Sequence, residues 1–269
     1  MTLTTPQNVI VVNKVVKTYD GRVILDQIDL QVRQGETLVI LGGSGSGKST
    51  LLRLMTASVR PDGGDIVVNG ESIAKMNTKH LDAYRKSIGV LFQSGALFNS
   101  MSVFENVALP LREHTNLPES TIEVMVKIKL ELVGLRTHSE KMPAQLSGGM
   151  KKRAGLARAL ALDPKILFYD EPSAGLDPVT SAEIDDLIIG LNKRLGVTSV
   201  VVTHEMDSAF RIADRMVLLD RGKMIVSGTP DEMKNSADPL VNQFVYGLTT
   251  GPLTERRLAG GYEADLLEG

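Results

Sequence analysis

Residues 42–50 read Gly-Gly-Ser-Gly-Ser-Gly-Lys-Ser-Thr, and this stretch decides the fold class. It matches the phosphate-binding pattern G-x-x-x-x-G-K-[ST] in the context that the pattern requires. A mainly apolar run at 36–41 precedes it, and a helix-forming stretch at 51–55 follows it. Glycines let consecutive backbone N–H groups turn toward one anion, and the positive end of the following helix adds to the attraction. The stretch therefore predicts a buried strand, a phosphate-binding loop and a helix within a parallel α/β fold.

The loop supplies two side chains with the chemistry to contact a nucleotide. We expect Lys48 to reach the β- and γ-phosphates and Ser49 to bind Mg²⁺. The other loop residues bind phosphate chiefly through backbone N–H groups; they are Gly42, Gly43, Ser44, Gly45, Ser46, Gly47 and Thr50. An ordinary glycine-rich turn between a strand and a helix is the alternative, and the flanks on both sides favour the nucleotide site.

Two further segments end in groups suited to phosphate chemistry. The apolar run 166–169 is followed by Asp170 and Glu171, and the run 197–203 is followed by His204. Ligands of open parallel sheets bind beyond the carboxyl ends of the strands, so we expect these side chains beside the phosphate loop. Asp170 suits a Mg²⁺ ion and its waters, and Glu171 suits orienting or deprotonating an attacking water. His204 suits a bond to a γ-phosphate oxygen or to that water.

The remaining chain alternates between strand and helix patterns around a helical insertion. The turn Asp20-Gly21 predicts an antiparallel hairpin among short strands at 9–12, 23–25 and 28–32. Helical spacing dominates from about 95 to 162, and strand–helix alternation then returns. Asp177 and Pro178 predict the start of one of the later helices, as cap and first residue. We expect a mostly parallel α/β core, an antiparallel β subdomain and an inserted helical subdomain in one domain, residues 1–246, with an extension at 247–269.

Composition excludes several classes of protein. The 269 residues carry a formal net charge of -2 and 4% aromatic residues, which argues against a strongly basic or base-stacking nucleic-acid surface. The absence of cysteine excludes disulfides, thiolate catalysis and cysteine-ligated metals. No apolar run approaches the ~18 residues of a membrane span, and the first residues do not form a signal peptide. We expect a cytoplasmic protein with no nucleic-acid partner.

The segment 146–153 adds a second candidate anion site and completes a family pattern. Leu146-Ser147-Gly148-Gly149-Met150 predicts a helix start with a hydroxyl and exposed N–H groups. The cations Lys151, Lys152 and Arg153 fit a solvated helix face equally well. With this segment between the two nucleotide motifs, the chain resembles the nucleotide-binding subunit of ATP-binding-cassette (ABC) transporters over nearly its whole length.

The resemblance implies a RecA-like core and a role for each motif. Tyr19 would stack on adenine, residues 42–50 would be the Walker A loop, and Gln93 would be the Q-loop glutamine and a Mg²⁺ contact. The signature residues Ser147, Gly148 and Gly149 would face a γ-phosphate. Walker B would be 166–171 with catalytic Glu171, the D-loop would be 173–177 ending in Asp177, and His204 would be the switch residue. Met150 departs from the pattern, because glutamine is common there. The family binds ATP with Mg²⁺, and two copies sandwich two ATP molecules.

Four stretches narrow the resemblance to the ATPases of the Mla phospholipid-transport systems of Gram-negative bacteria: 91–98, 110–115, 146–163 and 261–267. This resemblance implies ATP hydrolysis that powers an inner-membrane transporter of phospholipids for outer-membrane lipid asymmetry. The subunit would sit peripherally on the cytoplasmic face of the inner membrane. Its implied partners are a second copy of itself, the integral-membrane permease MlaE, the MCE lipid-binding protein MlaD and the small STAS-domain subunit MlaB.

Two other functions compete with transport. A soluble ABC-type ATPase of DNA repair or chromosome structure normally carries a long coiled-coil insertion, and no sustained heptad block is present here. A nucleotide sensor without hydrolysis is the other, and the intact Glu171 and His204 argue against it. Both alternatives are therefore disfavoured.

The residues after Gln93 are the expected permease contact. Small residues at 94–96 are followed by Leu97 and Phe98, and further apolar residues lie at 101–104. Core packing is the alternative for such side chains. The functional interpretation is a groove that receives a cytoplasmic helix of the permease.

The extension 247–269 is expected to dock on a second protein surface, either the other ATPase copy or the small accessory subunit. Its spaced apolar anchors are Leu253, Leu258, Tyr262, Leu266 and Leu267, and a disordered end is the alternative. Deleting the residues after Thr250 should leave ATP binding by the isolated subunit unchanged and weaken the dimer or the complex. Co-purification measures this, and equal recovery of the assembly with and without the extension would identify a disordered end.

Overall fold

The computed structural model describes residues 7–254, and its strands form two sheets of different kinds. The smaller sheet is antiparallel, in the order β2-β1-β4-β5, and its strands are β1 (Asn8–Tyr19), β2 (Arg22–Arg33), β4 (Gly63–Val68) and β5 (Glu71–Ser72). Asp20 and Gly21 both have positive φ, which is the conformation that a tight hairpin turn between β1 and β2 requires. The predicted hairpin is therefore present.

The larger sheet is six-stranded and mostly parallel, in the order β10-β9-β3-β8-β7-β6. Its strands are β3 (Thr37–Gly42), β6 (Ile88–Leu91), β7 (Ile166–Asp170), β8 (Thr198–Val202), β9 (Arg215–Asp220) and β10 (Lys223–Gly228), and only the β9–β10 pair is antiparallel. Every residue of β3 and β8 is buried. Strands that are buried along their whole length occur where helices cover both faces of a parallel sheet.

The helices connect these strands and build the inserted region. They are α1 (Lys48–Met55), α2 (Thr78–Ser87), α3 (Val103–His114), α4 (Glu119–Leu132), α5 (Gly148–Ala159), α6 (Pro178–Leu195), α7 (Met206–Ile212), α8 (Pro230–Lys234) and α9 (Pro239–Tyr246), with 3₁₀ turns at Arg136–His138 and Pro143–Gln145. Local signals set several ends. Asp177 accepts bonds from the N–H groups of Val179 and Thr180 at the start of α6, and Gly196 ends that helix in the left-handed conformation.

The fold class is confirmed, and two local expectations differ from the structure. The runs 23–25 and 28–32 belong to one strand, β2, because a register shift at Gln27, whose φ is +50°, absorbs the break in the pattern. The stretch 95–102 is not helical. The buried amide of Asn106 holds its last part instead, since it donates to the carbonyls of Phe98, Met101 and Ser102 and accepts from the Phe98 N–H.

No helix within residues 7–254 is both long and apolar enough to cross a membrane. Of the predicted docking anchors, only Leu253 is described; Leu258, Tyr262, Leu266 and Leu267 lie outside the described residues.

The start of the extension is held by one buried amide, that of Gln243. Its nitrogen donates to the Leu248 carbonyl and to the Thr254 hydroxyl, and its oxygen accepts from the Leu253 N–H. A truncation after Thr250 removes two of these partners, whereas a truncation after Thr254 keeps all three. The later cut is therefore the cleaner form of the deletion experiment.

Candidate functional site

The phosphate loop lies between β3 and α1 and is closely packed on its outer side. A Cβ atom at Gly42 would collide with the Leu219 carbonyl oxygen and with Ser46 Oγ. At Gly47, whose φ is +103°, a Cβ atom would lie 2.6 Å from Leu25 Cδ2. Side chains are excluded at both positions, so the backbone itself forms the wall of the loop.

The start of α1 has the features of an anion site. Gly47 provides no side-chain cap, and the first turn contains no acidic residue, so no carboxylate competes there for an anion. The buried Lys48 ammonium donates to the carbonyls of Gly42 at 2.7 Å and Gly43 at 2.9 Å. Burial lowers the pKa of Lys48, and the charges of Glu171 and Asp170 oppose that shift. A phosphate group fits this cradle of backbone N–H groups and one cation.

Asp170 ends β7 beside this loop. Burial raises the pKa of its carboxyl, the adjacent Glu171 raises it further, and the cations Arg53, Lys48 and Lys152 oppose the shift. Among residues 7–254, no three His, Asp or Glu side chains converge as a protein-only metal site. A Mg²⁺ ion bound here would take oxygen ligands from Asp170, from the exposed Ser49 hydroxyl and from bound phosphate, which is the ligand set that this ion prefers.

Glu171 and His204 meet directly at the ends of β7 and β8. His204 Nδ1 lies 2.8 Å from Glu171 Oε1, and the His204 N–H donates to Glu171 Oε2 at 3.4 Å. Glu171 is buried, whereas the His204 ring is about half exposed. A fixed carboxylate beside an accessible imidazole can orient a water molecule and accept its proton.

The predicted signature segment begins α5. Ser147 accepts a hydrogen bond from the Met150 N–H as the cap of this helix, and both Ser147 and Gly148 are exposed. A Cβ atom at Gly149 would collide with Thr180 Cγ2, and one at Gly148 would lie 3.2 Å from Leu176 Cδ2. The glycines therefore allow the helix start to pack against Leu176 of the D-loop and Thr180 of α6.

Asp177, the other predicted residue of this region, serves as the cap of α6. A hydrogen bond from the Thr180 hydroxyl and bonds from backbone N–H groups hold the pKa of its carboxyl below the usual range. Met150, the departure from the family pattern, is partly buried against the hydrophobic core.

The predicted residues divide into two groups. Lys48, Asp170, Glu171 and His204 interact with one another through hydrogen bonds or charge. Other candidates, among them Tyr19, Gln93 and Ser147, have no hydrogen bond or ion pair to these four residues in the described part of the chain. Tyr19 is 38% exposed at the end of β1, with Lys17 Nζ 5.1 Å from its ring centroid, and Gln93 is exposed just after β6.

Two cations on α5 have contacts that the sequence did not reveal. Lys152 is buried and donates to the Glu171 carbonyl at 2.8 Å, although the charge run 151–153 suggested a solvated face. Arg158 donates to the carbonyls of Gly95 at 3.0 Å and Ala96 at 2.8 Å.

Comparison with known proteins gives a consistent result. Residues 25–174 match the family model described as ABC transporter. The chain is 47% identical over 252 residues to the intermembrane phospholipid transport system ATP-binding protein MlaF of Escherichia coli K12, covering 94% of each chain. It is 44% identical over 262 residues to MlaF of Haemophilus influenzae, covering 97% of this chain and 99% of that one.

A solved structure agrees with the fold. The dimeric ATP-binding cassette MJ0796, in a post-hydrolysis state bound to ADP and Pi, superposes with a TM-score of 0.76 at 30% identity. The match covers 82% of this chain and 98% of that one.

Replacing Lys48 by alanine tests the phosphate cradle. The substitution removes the only side-chain cation within the loop 42–50, so nucleotide affinity and hydrolysis should each fall by at least about tenfold. Nucleotide titration and phosphate release measure these effects, and thermal unfolding verifies the fold. The exposed Lys193, replaced in the same way, is the control. Normal ATP affinity in the Lys48→Ala protein would refute the assignment of Lys48 to the phosphates.

Proposed function

This chain belongs to the ABC transporter family, and from that membership we propose that it is the ATP-hydrolysing subunit of an inner-membrane phospholipid transporter. As an ATP-binding cassette it is an ATPase, which converts ATP and water to ADP and phosphate. The observation that carries the proposal is the meeting of Lys48, Asp170, Glu171 and His204 at one sheet edge, in a chain 47% identical to an ATPase of phospholipid transport. A soluble ABC-type ATPase is not favoured.

ATP binding rests on the loop and on two exposed side chains. The loop residues 42–50 hold the phosphates, and Lys48 turns from the Gly42 and Gly43 carbonyls toward the β/γ oxygens. Tyr19 stacks on adenine, and its exposure at the end of β1 leaves the ring accessible. Mg²⁺ would be held by Ser49, Asp170 and Gln93, and it supplies positive charge to the phosphate oxygens when bound.

Glu171 is the general base of the proposed reaction. Its carboxylate takes the proton of the attacking water while the water oxygen forms a bond to the γ-phosphorus and the bond to the β-phosphate oxygen breaks. His204 holds the carboxylate at 2.8 Å. The other ring nitrogen lies 3.6 Å from Glu205 Oε1, and because the ring is about half exposed it would be accessible to a γ-phosphate oxygen. The buried position of Glu171 limits the directions from which water approaches.

The site is completed by a second copy of the chain. Ser147, Gly148 and Gly149 offer a hydroxyl and a helix N-terminus that the same chain's Lys48 group does not use. We assign them to the γ-phosphate of the ATP held by the partner copy, with Asp177 at the same interface. The dimeric form of MJ0796 supports this arrangement.

The permease contact is assigned to a groove between α2, β6, α3 and α5. Its volume is about 840 Å³, and its walls include Phe92, Phe98, Leu109, His114, Arg158 and Leu162. Phe98 is 50% exposed, with the Arg158 guanidinium 5.9 Å from its ring centroid, whereas Leu97 packs against the hydrophobic core. The groove would receive a cytoplasmic helix of the MlaE-type permease, with Phe98 as the apolar anchor. A movement of that permease helix would then be transmitted to Gln93 along the backbone of Gly95 and Ala96.

The remaining partners follow from similarity to MlaF. We propose an MCE protein of the MlaD type, a small STAS-domain subunit of the MlaB type, and a peripheral position on the cytoplasmic face of the inner membrane. The extension 247–269 is the proposed attachment to the second ATPase copy or to the small subunit. Co-purification of the chain with these proteins from membranes, with phospholipid identified by mass spectrometry, tests the transport assignment.

Changing Glu171 to glutamine should nearly abolish turnover while ATP still binds. The amide has almost the same volume as the carboxylate but does not accept the water proton, so the loss should be about 100-fold or more. The ATP-bound dimer should accumulate and be visible by size-exclusion chromatography. Glu140→Gln, at an exposed site, is the matched control. Retention of more than about a tenth of wild-type hydrolysis would exclude Glu171 as the base.

Changing Phe98 to aspartate tests the groove. Because this side chain is half exposed, the subunit should fold and retain its own ATPase activity, while recovery of the permease should fall by at least about tenfold. Val124→Asp, at an exposed position of α4 outside the groove, is the control. Leu97→Asp is less informative because it places a charge against the core. Normal permease recovery with Phe98→Asp would refute the contact.

A further inference from the structure

Lys152 is a buried lysine of α5 whose ammonium contacts the backbone of the candidate base Glu171. Its side chain is 5% exposed, and its Nζ donates to the backbone carbonyl of Glu171 at 2.8 Å. The Glu171 carboxylate on the other side interacts with His204. The base is therefore held at its backbone by one helix and at its carboxylate by the loop after β8.

The charge of Lys152 is matched by nearby acids. Burial lowers the pKa of Lys152, and the charges of Glu171 and Asp170 act in the opposite direction. The same two carboxylates act on the pKa of Lys48 in α1 in the same direction. Burying a lysine is costly unless its charge is compensated and its ammonium is hydrogen-bonded. Here the charges of Glu171 and Asp170 offset part of that cost, and the Glu171 carbonyl accepts a hydrogen bond.

The backbone of Glu171 needs such support. Its φ is +49°, a left-handed conformation that residues other than glycine seldom adopt. A strained residue keeps its conformation only when the surrounding contacts overdetermine it. The Glu171 N–H donates to the Val202 carbonyl at 2.9 Å, and the Glu171 carbonyl accepts from Ala174 N–H at 3.3 Å as well as from Lys152. The bond from Lys152 is the shorter of the two at that carbonyl.

We propose that Lys152 is a positioning residue for ATP hydrolysis, which holds Glu171 in its reactive orientation and links it to the helix that carries the signature. This inference rests on the proposed role of Glu171 as the base. Gly148 and Lys152 are four residues apart on α5 and so lie on one face of it, one turn from each other. If α5 shifts when its signature contacts the ATP held by a partner copy, the Lys152 ammonium shifts with it and changes the position of Glu171 in the same chain.

The experiment compares substitutions at two adjacent lysines in the full chain. Lys152→Met keeps the length of the side chain and removes the donor, so kcat should fall by at least about tenfold, since small misplacement of a catalytic group has large effects on rate. ATP affinity should stay within about twofold of wild type, because Lys152 does not touch the phosphate loop. Lys152→Arg restores a cationic donor and should recover most of kcat. Lys151→Met, at the neighbouring, partly exposed position, should leave kcat unchanged.

A double substitution separates positioning of the base from other roles. In a Glu171→Gln background, Lys152→Met should change the residual rate by less than about twofold, because the group that Lys152 positions is already inactive. A further tenfold loss there would show that Lys152 acts elsewhere and would overturn the proposal. Unchanged kcat in the single Lys152→Met protein would overturn it equally.

Folding and the role of Glu171 are tested separately. If thermal unfolding shows that Lys152→Met does not fold, the experiment uses Lys152→Gln, which keeps a shorter neutral donor. An intermediate kcat is then expected, and a wild-type kcat would contradict the proposal. If Glu171→Gln alone retains its activity, the proposed base is wrong. If Glu171→Gln is inactive and Lys152→Met is fully active, only the positioning role is wrong.

Discussion

The parallel register that joins β3, β8 and β7 places Ile40, Val202 and Asp170 side by side at one level of the sheet. Side chains alternate along a strand, so a slip of one residue would turn each of them to the opposite face. The complete burial of β3 and β8 fixes this register, because a slip would also break the packing on both sides of the sheet. The phosphate loop, the acid pair and His204 meet because their strands end together.

Much of this arrangement can be predicted from local sequence signals. The loop 42–50 is predictable because glycine, lysine and serine at fixed spacing have few other uses, and the cap of α6 because Asp177 and Pro178 act within their own turn. The strand ends that carry Asp170, Glu171 and His204 are also local signals, once a parallel sheet is inferred. These features need no knowledge of distant contacts.

Other features depend on packing between segments far apart in the chain. Lys152 is buried because α5 lies against the loop after β7, and no pattern at 151–153 distinguishes it from Lys151. The left-handed backbone of Glu171 follows from bonds to Val202 and Lys152. Phe98, not Leu97, faces the groove because the Asn106 amide holds the loop backbone. Each outcome was set by tertiary contacts that a single sequence does not display.

We propose that each ATP site is made by two chains, and complementation tests this arrangement most directly. Lys48→Ala disables the phosphate loop, and Ser147→Arg disables the signature, so either variant alone should be inactive. In a mixed dimer, one site combines both defects and the other combines an intact loop with an intact signature. An equal mixture of the two variants should therefore recover about a quarter of wild-type ATP hydrolysis, as random pairing in a two-fold dimer requires. No recovery in a mixture shown to contain mixed dimers would contradict the shared site.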